Sequence, residues 1–266
     1  GIAGAVHEPI DSLSVEQIVS LAFLQRQAIA CLKPRPLRVY IAAMMMHALL
    51  LSTLVASASS LRPRTVIVTG ATGKTGQAVV RELLKDDQTT IRCFVRNETK
   101  AKEVLPEHPR VRIGPVDLED PENVEQRTLD GDADAVIWCA TGLASDGSTL
   151  IDQISLPTLA KALPKVSRDA PPNCVMLSSA AVTRPGWSSR KQKKFERSYD
   201  IPIVRLNPAG ILGKKLNAEK KLSRATPAFC VVRPVGLNDD WPRGRPVFSQ
   251  GDVAVCVEIS RRLHVA

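Results

Sequence analysis

The sequence predicts an α/β fold: one doubly wound parallel sheet in a single domain spanning residues 61–266. Three observations point there. From residue 65 onward, short β-branched runs alternate with segments whose apolar residues recur at helical spacing. A glycine-rich loop follows the first run directly. Aromatics make up 4% of a chain that is 44% hydrophobic, so its core is aliphatic, as buried parallel strands require.

The elements follow in order. Arg64–Thr69 carries the run TVIVT, a short buried strand. Residues 77–85 place Val79, Val80, Leu83 and Leu84 on one helical face. A strand is expected over 91–95 and a short helix over 100–105. A third strand covers 111–113, and its connection reaches Asp117. Pro121–Leu129 reads as a helix with proline early in its first turn. Strands follow at 135–140, 174–178 and 229–233, with a helix over 156–163 and a lysine-rich one over 214–224.

Gly70, Ala71, Thr72, Gly73, Lys74, Thr75 and Gly76 stand between the first strand and the first helix. In that context Gly70 permits a tight turn, Gly73 a close backbone approach to pyrophosphate, and Gly76 close packing of helix on strand. The helix N-terminus then offers N–H donors and a positive dipole end to phosphate. The loop thus predicts dinucleotide binding in a Rossmann arrangement. A phosphate loop of the nucleotide-triphosphatase type needs glycine at position 68, where Val68 stands.

An NAD site carries an acidic residue at the end of the second strand. Here that end reads Phe94-Val95-Arg96-Asn97. Arg96 is suited to a 2′-phosphate, with Lys74 as a second cation, so NADP(H) is expected over NAD. Asn97, at the same strand end, is expected to join Arg96 in binding the cofactor. Asp117 and Leu118 are expected at the adenine edge, and Ala140, Thr141 and Gly142 beside the ribose and nicotinamide, because ligands sit at the carboxyl ends of the strands.

The first sixty residues read as an address. Three methionines at 44–46 precede an apolar run that ends in Ala56-Ser57-Ala58, a small-x-small cleavage pattern. Residues 44–60 are expected to be a signal or targeting segment, and 1–43 upstream or non-native sequence. A secretory route or a membrane anchor is the alternative.

The formal net charge of +9 is unevenly spread, since residues 181–266 alone carry 17 basic and 7 acidic groups. Within 184–197 the sequence RPGWSSRKQKKFER interleaves Trp187 and Phe195 with cations. Such a stretch can stack bases and track phosphates, or simply be a flexible, solvated basic insertion. Among the six cysteines no spacing forms a zinc or redox motif, and the four histidines form no metal pattern, so no metal is expected.

The glycine loop, Arg96, Asp117-Leu118 and Ser178-Ser179 together resemble the atypical short-chain dehydrogenase/reductase superfamily. The segments at 231–237, 248–252, 259–261 and 265–266 are similar to its plant and algal plastid branch. That branch holds photosystem II assembly factors of the high-chlorophyll-fluorescence type and relatives joined to a complex I intermediate-associated domain. The resemblance implies a plastid location, at the stroma or thylakoid surface. It also implies a thylakoid complex or RNA as partner, and a further C-terminal helix beyond residue 266. By the same resemblance Ser179 and Lys215 stand at the catalytic serine and lysine positions, with Ile211 where the proton-donating tyrosine belongs. Lys215 then holds the nicotinamide ribose, or is one of several solvated lysines. Three functions stay open: an NADP(H)-binding assembly or regulatory factor with little or no turnover, an NADPH-dependent oxidoreductase on a small carbonyl or enone, and an RNA-binding scaffold.

Overall fold

The computed structural model describes residues 64–234 together with Asp252. The expectations for residues 1–43 and 44–60, and for the segments beyond 234 other than Asp252, lie outside the described residues.

Six parallel strands form one sheet in the order β3-β2-β1-β4-β5-β6. They are β1 (Arg64–Thr69), β2 (Thr89–Val95), β3 (Val111–Pro115), β4 (Ala135–Trp138), β5 (Cys174–Leu177) and β6 (Phe229–Val232). The order reverses between β1 and β4, which pair directly with Val66 opposite Ala135 and Thr69 opposite Trp138.

Side-chain alternation explains why both faces are covered. Val66 and Val68 of β1, Ile91 and Cys93 of β2, and Ile137 of β4 share one apolar layer with Val79, Val80 and Leu83. Ile67, Phe94, Val136 and Trp138 point the other way, joining Leu156, Leu159, Met176 and Leu222. A strand buried on both faces reads as a continuous apolar run, as Val66-Ile67-Val68 does at the centre of β1.

The helices are α1 (Lys74–Leu83), α2 (Glu98–Val104), α3 (Pro121–Leu129), α4 (Ile151–Ala162), α5 (Ser189–Lys194), α6 (Glu196–Tyr199), α7 (Pro202–Leu206) and α8 (Ile211–Ala225). Helix α2 starts two residues before the expected 100, because the Asn97 side chain accepts the Lys100 N–H at 2.9 Å and caps it. Helix α3 has the expected bounds, with Asp120 capping the Glu122 and Asn123 N–H groups.

Helix α4 begins at Ile151, not at 156, and so carries Pro157 inside it. Proline has no N–H to give the carbonyl four residues back, here that of Gln153. Lys221 of α8 donates to that carbonyl instead, Nζ to O at 3.1 Å. A tertiary contact thus satisfies the group that makes proline a helix breaker.

The basic stretch after β5 is not one flexible insertion. It folds as a 3-10 turn (Arg184–Gly186) followed by α5 and α6, packed on a small apolar cluster of Ala181, Val182, Ile201, Val204 and Leu212 with Tyr199 against it.

Candidate functional site

At the switch point the connections after β1 and β4 meet. Gly70 has φ +61°, and a Cβ there would lie 2.7 Å from the Ala140 nitrogen and 2.8 Å from its Cα. The Cys139 N–H donates to the Thr69 carbonyl, and the Ala140 N–H to Thr69 Oγ1, both at 3.3 Å. A Cβ at Gly76 would overlap the Gly70 carbonyl oxygen. Gly70 and Gly76 are therefore fixed by sterics. Gly73 is exposed and extended at the N-cap of α1, its N–H bonded to the Gly70 carbonyl at 3.0 Å. No side chain caps this terminus and no acidic residue stands in its first turn, which leaves a helix end suited to an anion. Lys74 is exposed, Thr72 and Thr75 are half-buried, and the Thr72 carbonyl accepts from Gln77 Nε2 at 3.0 Å.

Along the rim, Arg96 is exposed at the end of β2. Asn97 was expected to face a cofactor, but its side-chain oxygen caps α2. Asp117 is exposed and accepts the Glu119 N–H at 2.9 Å. Leu118 is half-buried, and its carbonyl accepts the Ser155 hydroxyl at 2.6 Å. Sequence reasoning missed Glu119. It receives the Ser145 hydroxyl at 2.6 Å and the Ser145 N–H at 2.8 Å. Those bonds, with Arg96 adding its charge, hold the Glu119 carboxyl below the usual carboxylate range. They also tie the loop after β3 to the loop after β4.

Beside Ala140 and Gly142, a cavity of about 230 Å³ opens. It brings Thr141, Ser179 and Lys215 together, with Ile203, Ile211 and Leu212 among its apolar walls. Between α7 and α8 the chain turns sharply, with φ of +31° at Asn207, +50° at Ala209 and +66° at Gly210. The Asn207 side chain steadies this turn by accepting the Leu212 N–H at 3.1 Å. The turn is what returns the chain so that both Ile203 and Ile211 line the cavity.

The two serines of β5's end differ. Ser178 is buried and donates to Glu219 Oε1 at 2.6 Å; Arg233 holds that carboxylate at 3.0 and 2.5 Å. Ser179 is half-buried and donates only to its neighbour's carbonyl, Ala180 O, at 3.0 Å.

Lys215 is not a solvated lysine. It is 6% exposed, and its Nζ lies 2.5 Å from Asp152 Oδ1. Asp152 sits in the first turn of α4, fully buried, and also accepts the Trp138 indole N–H at 3.2 Å. Its Oδ2 has no hydrogen-bond partner among the described residues. Burial pushes the Asp152 carboxyl up, and the Lys215 ammonium pulls it back. Nothing in the local sequence marks Asp152 beyond an acid at a helix start. Cys139, at the cavity wall, has its thiol pushed up to about 12 by burial, with Lys215 opposing.

The basic segment departs from expectation. Trp187 is 6% exposed, donates its indole N–H to Thr183 Oγ1 at 3.1 Å, and stacks on Tyr199 at 6.4 Å between centroids. Phe195 meets it edge-on at 6.0 Å, and Lys191 Nζ sits 4.2 Å from its ring centroid. Arg184, counted among the basic residues, is fully buried on Asp252. Trp187 is therefore a core residue and offers no face to a nucleic-acid base, which removes half of the expected stacking platform.

Among the described residues no group of three or more His, Cys, Asp or Glu is placed to hold a metal, and no helix is long and apolar enough to cross a membrane.

A family model described as NAD(P)H-binding matches residues 70–265. An uncharacterized chloroplastic protein of Arabidopsis thaliana is 26% identical over 211 residues, covering 77% of this chain and 70% of its own. Among solved structures, a short-chain dehydrogenase/reductase from Veillonella parvula in complex with NADP aligns at 19% identity. It covers 64% of this chain and 68% of that one, with a TM-score of 0.41. The Bordetella bronchiseptica enzyme WbmH in complex with NAD+ aligns at 20% identity, covering 64% and 55%, with a TM-score of 0.47.

Proposed function

Because the chain belongs to the NAD(P)H-binding family, we propose that it is an NADP(H)-binding plastid factor whose cofactor runs from the Gly70 loop to the Lys215 pocket. One observation carries this reading: the Gly70 loop abuts Ala140 at the switch point of a parallel sheet, and the residues on either side of Ala140, Cys139 and Thr141, line the pocket. Gly70 supplies the tight turn packed against Ala140, and Gly73, exposed at the uncapped start of α1, leaves the backbone clear for pyrophosphate. In this reading Gly70, Thr72, Gly73, Lys74, Thr75 and Gly76 receive the pyrophosphate. Arg96 takes the 2′-phosphate, supported by its exposure and by the lack of an acid at that strand end. Asn97 contributes backbone only. Asp117 and Leu118 flank the adenine, and Ala140, Thr141 and Gly142 the nicotinamide ribose. Residues 61–266 form the cofactor unit. The chloroplastic relative supports a plastid location.

Little or no turnover is proposed because the pocket presents Ile211, which has no proton to give, at the position the resemblance assigns to tyrosine. A second reading, an NADPH-dependent oxidoreductase, is favoured by Lys215 and Ser179 lining the same cavity. NADPH supplies hydride when bound. Ser179 and Lys215 would then hold a carbonyl oxygen, and the Lys215 ammonium would give it the proton that completes an alcohol, regaining one from water. A thylakoid complex as partner follows from the resemblance alone. RNA binding has behind it only the exposed charges of Arg190, Lys193 and Lys194.

The test is a fluorescence titration of NADPH and NADH against the wild type and Arg96→Ala, followed by NADPH oxidation assays with small carbonyl and enone compounds. The proposal expects NADPH to bind more tightly than NADH, the preference to vanish in Arg96→Ala, and oxidation to be negligible. Absence of binding by a cooperatively folding protein would refute the cofactor site; turnover would favour the oxidoreductase.

A further inference from the structure

We propose that Asp152 is the positioning residue of the pocket, a buried carboxylate that fixes Lys215 as an ammonium donor on the cavity wall. This rests on the reading of Lys215 as a functional pocket residue, and not on which dinucleotide binds.

The pair joins two helices distant in sequence. Asp152 lies in the first turn of α4 and Lys215 in the second turn of α8, and the indole of Trp138 at the end of β4 donates to the same carboxylate oxygen. Both charges are out of water, with side-chain exposures of 0% and 7%. Removing two charges from water costs several kcal/mol per ion, and apolar residues of the same size would tie α4 to α8 without that cost. What apolar residues cannot supply is a fixed cation.

The contacts are lopsided in the way a positioning role requires. Asp152 Oδ1 takes both donors, while Oδ2 is buried with no partner among the described residues. Among the described residues Lys215 Nζ donates to Asp152 alone, although an ammonium carries three donors. Lys215 also lines the cavity. One N–H is therefore anchored inward, and the remaining donors are available to an oxygen acceptor in the cavity: a ribose hydroxyl, a carbonyl or a carboxylate. The titratable groups facing Lys215 are Asp152 from α4 and Cys139 just after β4, and Lys214 and Glu219 share its own helix. Glu219 is engaged by Ser178 and Arg233, so Asp152 is the carboxylate that balances Lys215.

Removing the carboxylate takes away the bond that anchors the Lys215 amine, which is then open to an electrophile entering the cavity. Reductive methylation of the full chain between pH 7 and 9, read peptide by peptide by mass spectrometry, reports this, with Lys214 as the internal reference. In the wild type, Lys215 is expected to react at least about tenfold more slowly than Lys214. In Asp152→Asn, Lys215 is expected to react about tenfold or more faster than in the wild type, with Lys214 unchanged. A general loosening of α8 would raise both lysines together. Wild-type Lys215 reacting as fast as Lys214, or a folded Asp152→Asn with unchanged Lys215 labelling, overturns the proposal.

Should Asp152→Asn fail to fold, the double variant Asp152→Leu/Lys215→Met restores an apolar contact. The proposal expects it to fold and to bind NADPH about tenfold or more weakly. A folded double variant that binds NADPH as the wild type does overturns the positioning role. If the wild type binds no dinucleotide at all, the cofactor reading fails while the labelling contrast still decides the role of Asp152.

Discussion

The glycine loop and the pocket share one edge of the sheet but are built in opposite ways. The loop is a single run of seven residues whose function resides in backbone: a positive φ at Gly70, an exposed helix terminus at Gly73, and no room for a side chain at Gly76. The pocket is side chains from four separate stretches, around Cys139, Ser178, Ile203 and Lys215, held in place by Asp152 from a fifth. A backbone site is encoded locally and tolerates no added atoms. A side-chain site is encoded at long range and tolerates no missing charges.

Mutations should expose this difference. The largest effect is expected at the pocket: Asp152→Ala leaves the Lys215 ammonium buried without its counter-charge and should cost about 3–5 kcal/mol of stability in urea unfolding. Gly70→Ala comes next. A left-handed non-glycine residue costs on the order of 1–3 kcal/mol, and its Cβ, 2.7 Å from the Ala140 nitrogen, adds a clash that should abolish NADPH binding as read by fluorescence. Arg96→Ala should leave stability unchanged while weakening NADPH by roughly 1.5–3 kcal/mol relative to NADH. The smallest effect is expected far from both regions. Lys191→Ala removes a cation from the face of Trp187 and should cost about 0.5–1 kcal/mol of stability with no change in cofactor affinity.

The thiols sharpen the comparison by pH. Burial raises Cys93 and Cys139 from 9.0 to about 12. A thiol whose folded value lies above its unfolded one contributes stability that is complete below pH 9 and lost as pH rises toward 12. Cys139 therefore faces the cavity yet should resist thiol reagents at pH 8 in the native protein, as mapped by mass spectrometry. Rapid native labelling there would contradict the raised thiol at the pocket wall.

The same contrast explains what could be read from the chain. Strand β1 and helix α3 have their expected bounds, because a β-branched run and a Pro after an Asp cap are local signals. Gly70 and Gly76 were legible because a loop between strand and helix leaves few roles for glycine. Asp152 was not, since its partner lies 63 residues away. Glu119 and Glu219 escaped for the same reason, meeting Ser145 and Ser178 across 26 and 41 residues. The start of α4 lies five residues before the expected 156; the helix runs through Pro157, and Lys221 of a distant helix takes up the carbonyl that the proline leaves without a donor. Trp187 looked like a solvent-facing aromatic among lysines, but Thr183 and Tyr199 draw it into a core of its own. Side-chain contacts that residue spacing does not reveal decide each of these cases, at long range for Asp152, Glu119, Glu219 and α4 and within the segment itself for Trp187.

The central claim is that loop and pocket form one cofactor site. A crystal structure with NADP+ bound tests it most directly. The account predicts pyrophosphate on the N-terminus of α1, the 2′-phosphate against Arg96, and the nicotinamide in the cavity between Thr141 and Lys215. A dinucleotide seated on the loop with its nicotinamide outside that cavity, or no ordered dinucleotide at saturating concentration, would contradict it.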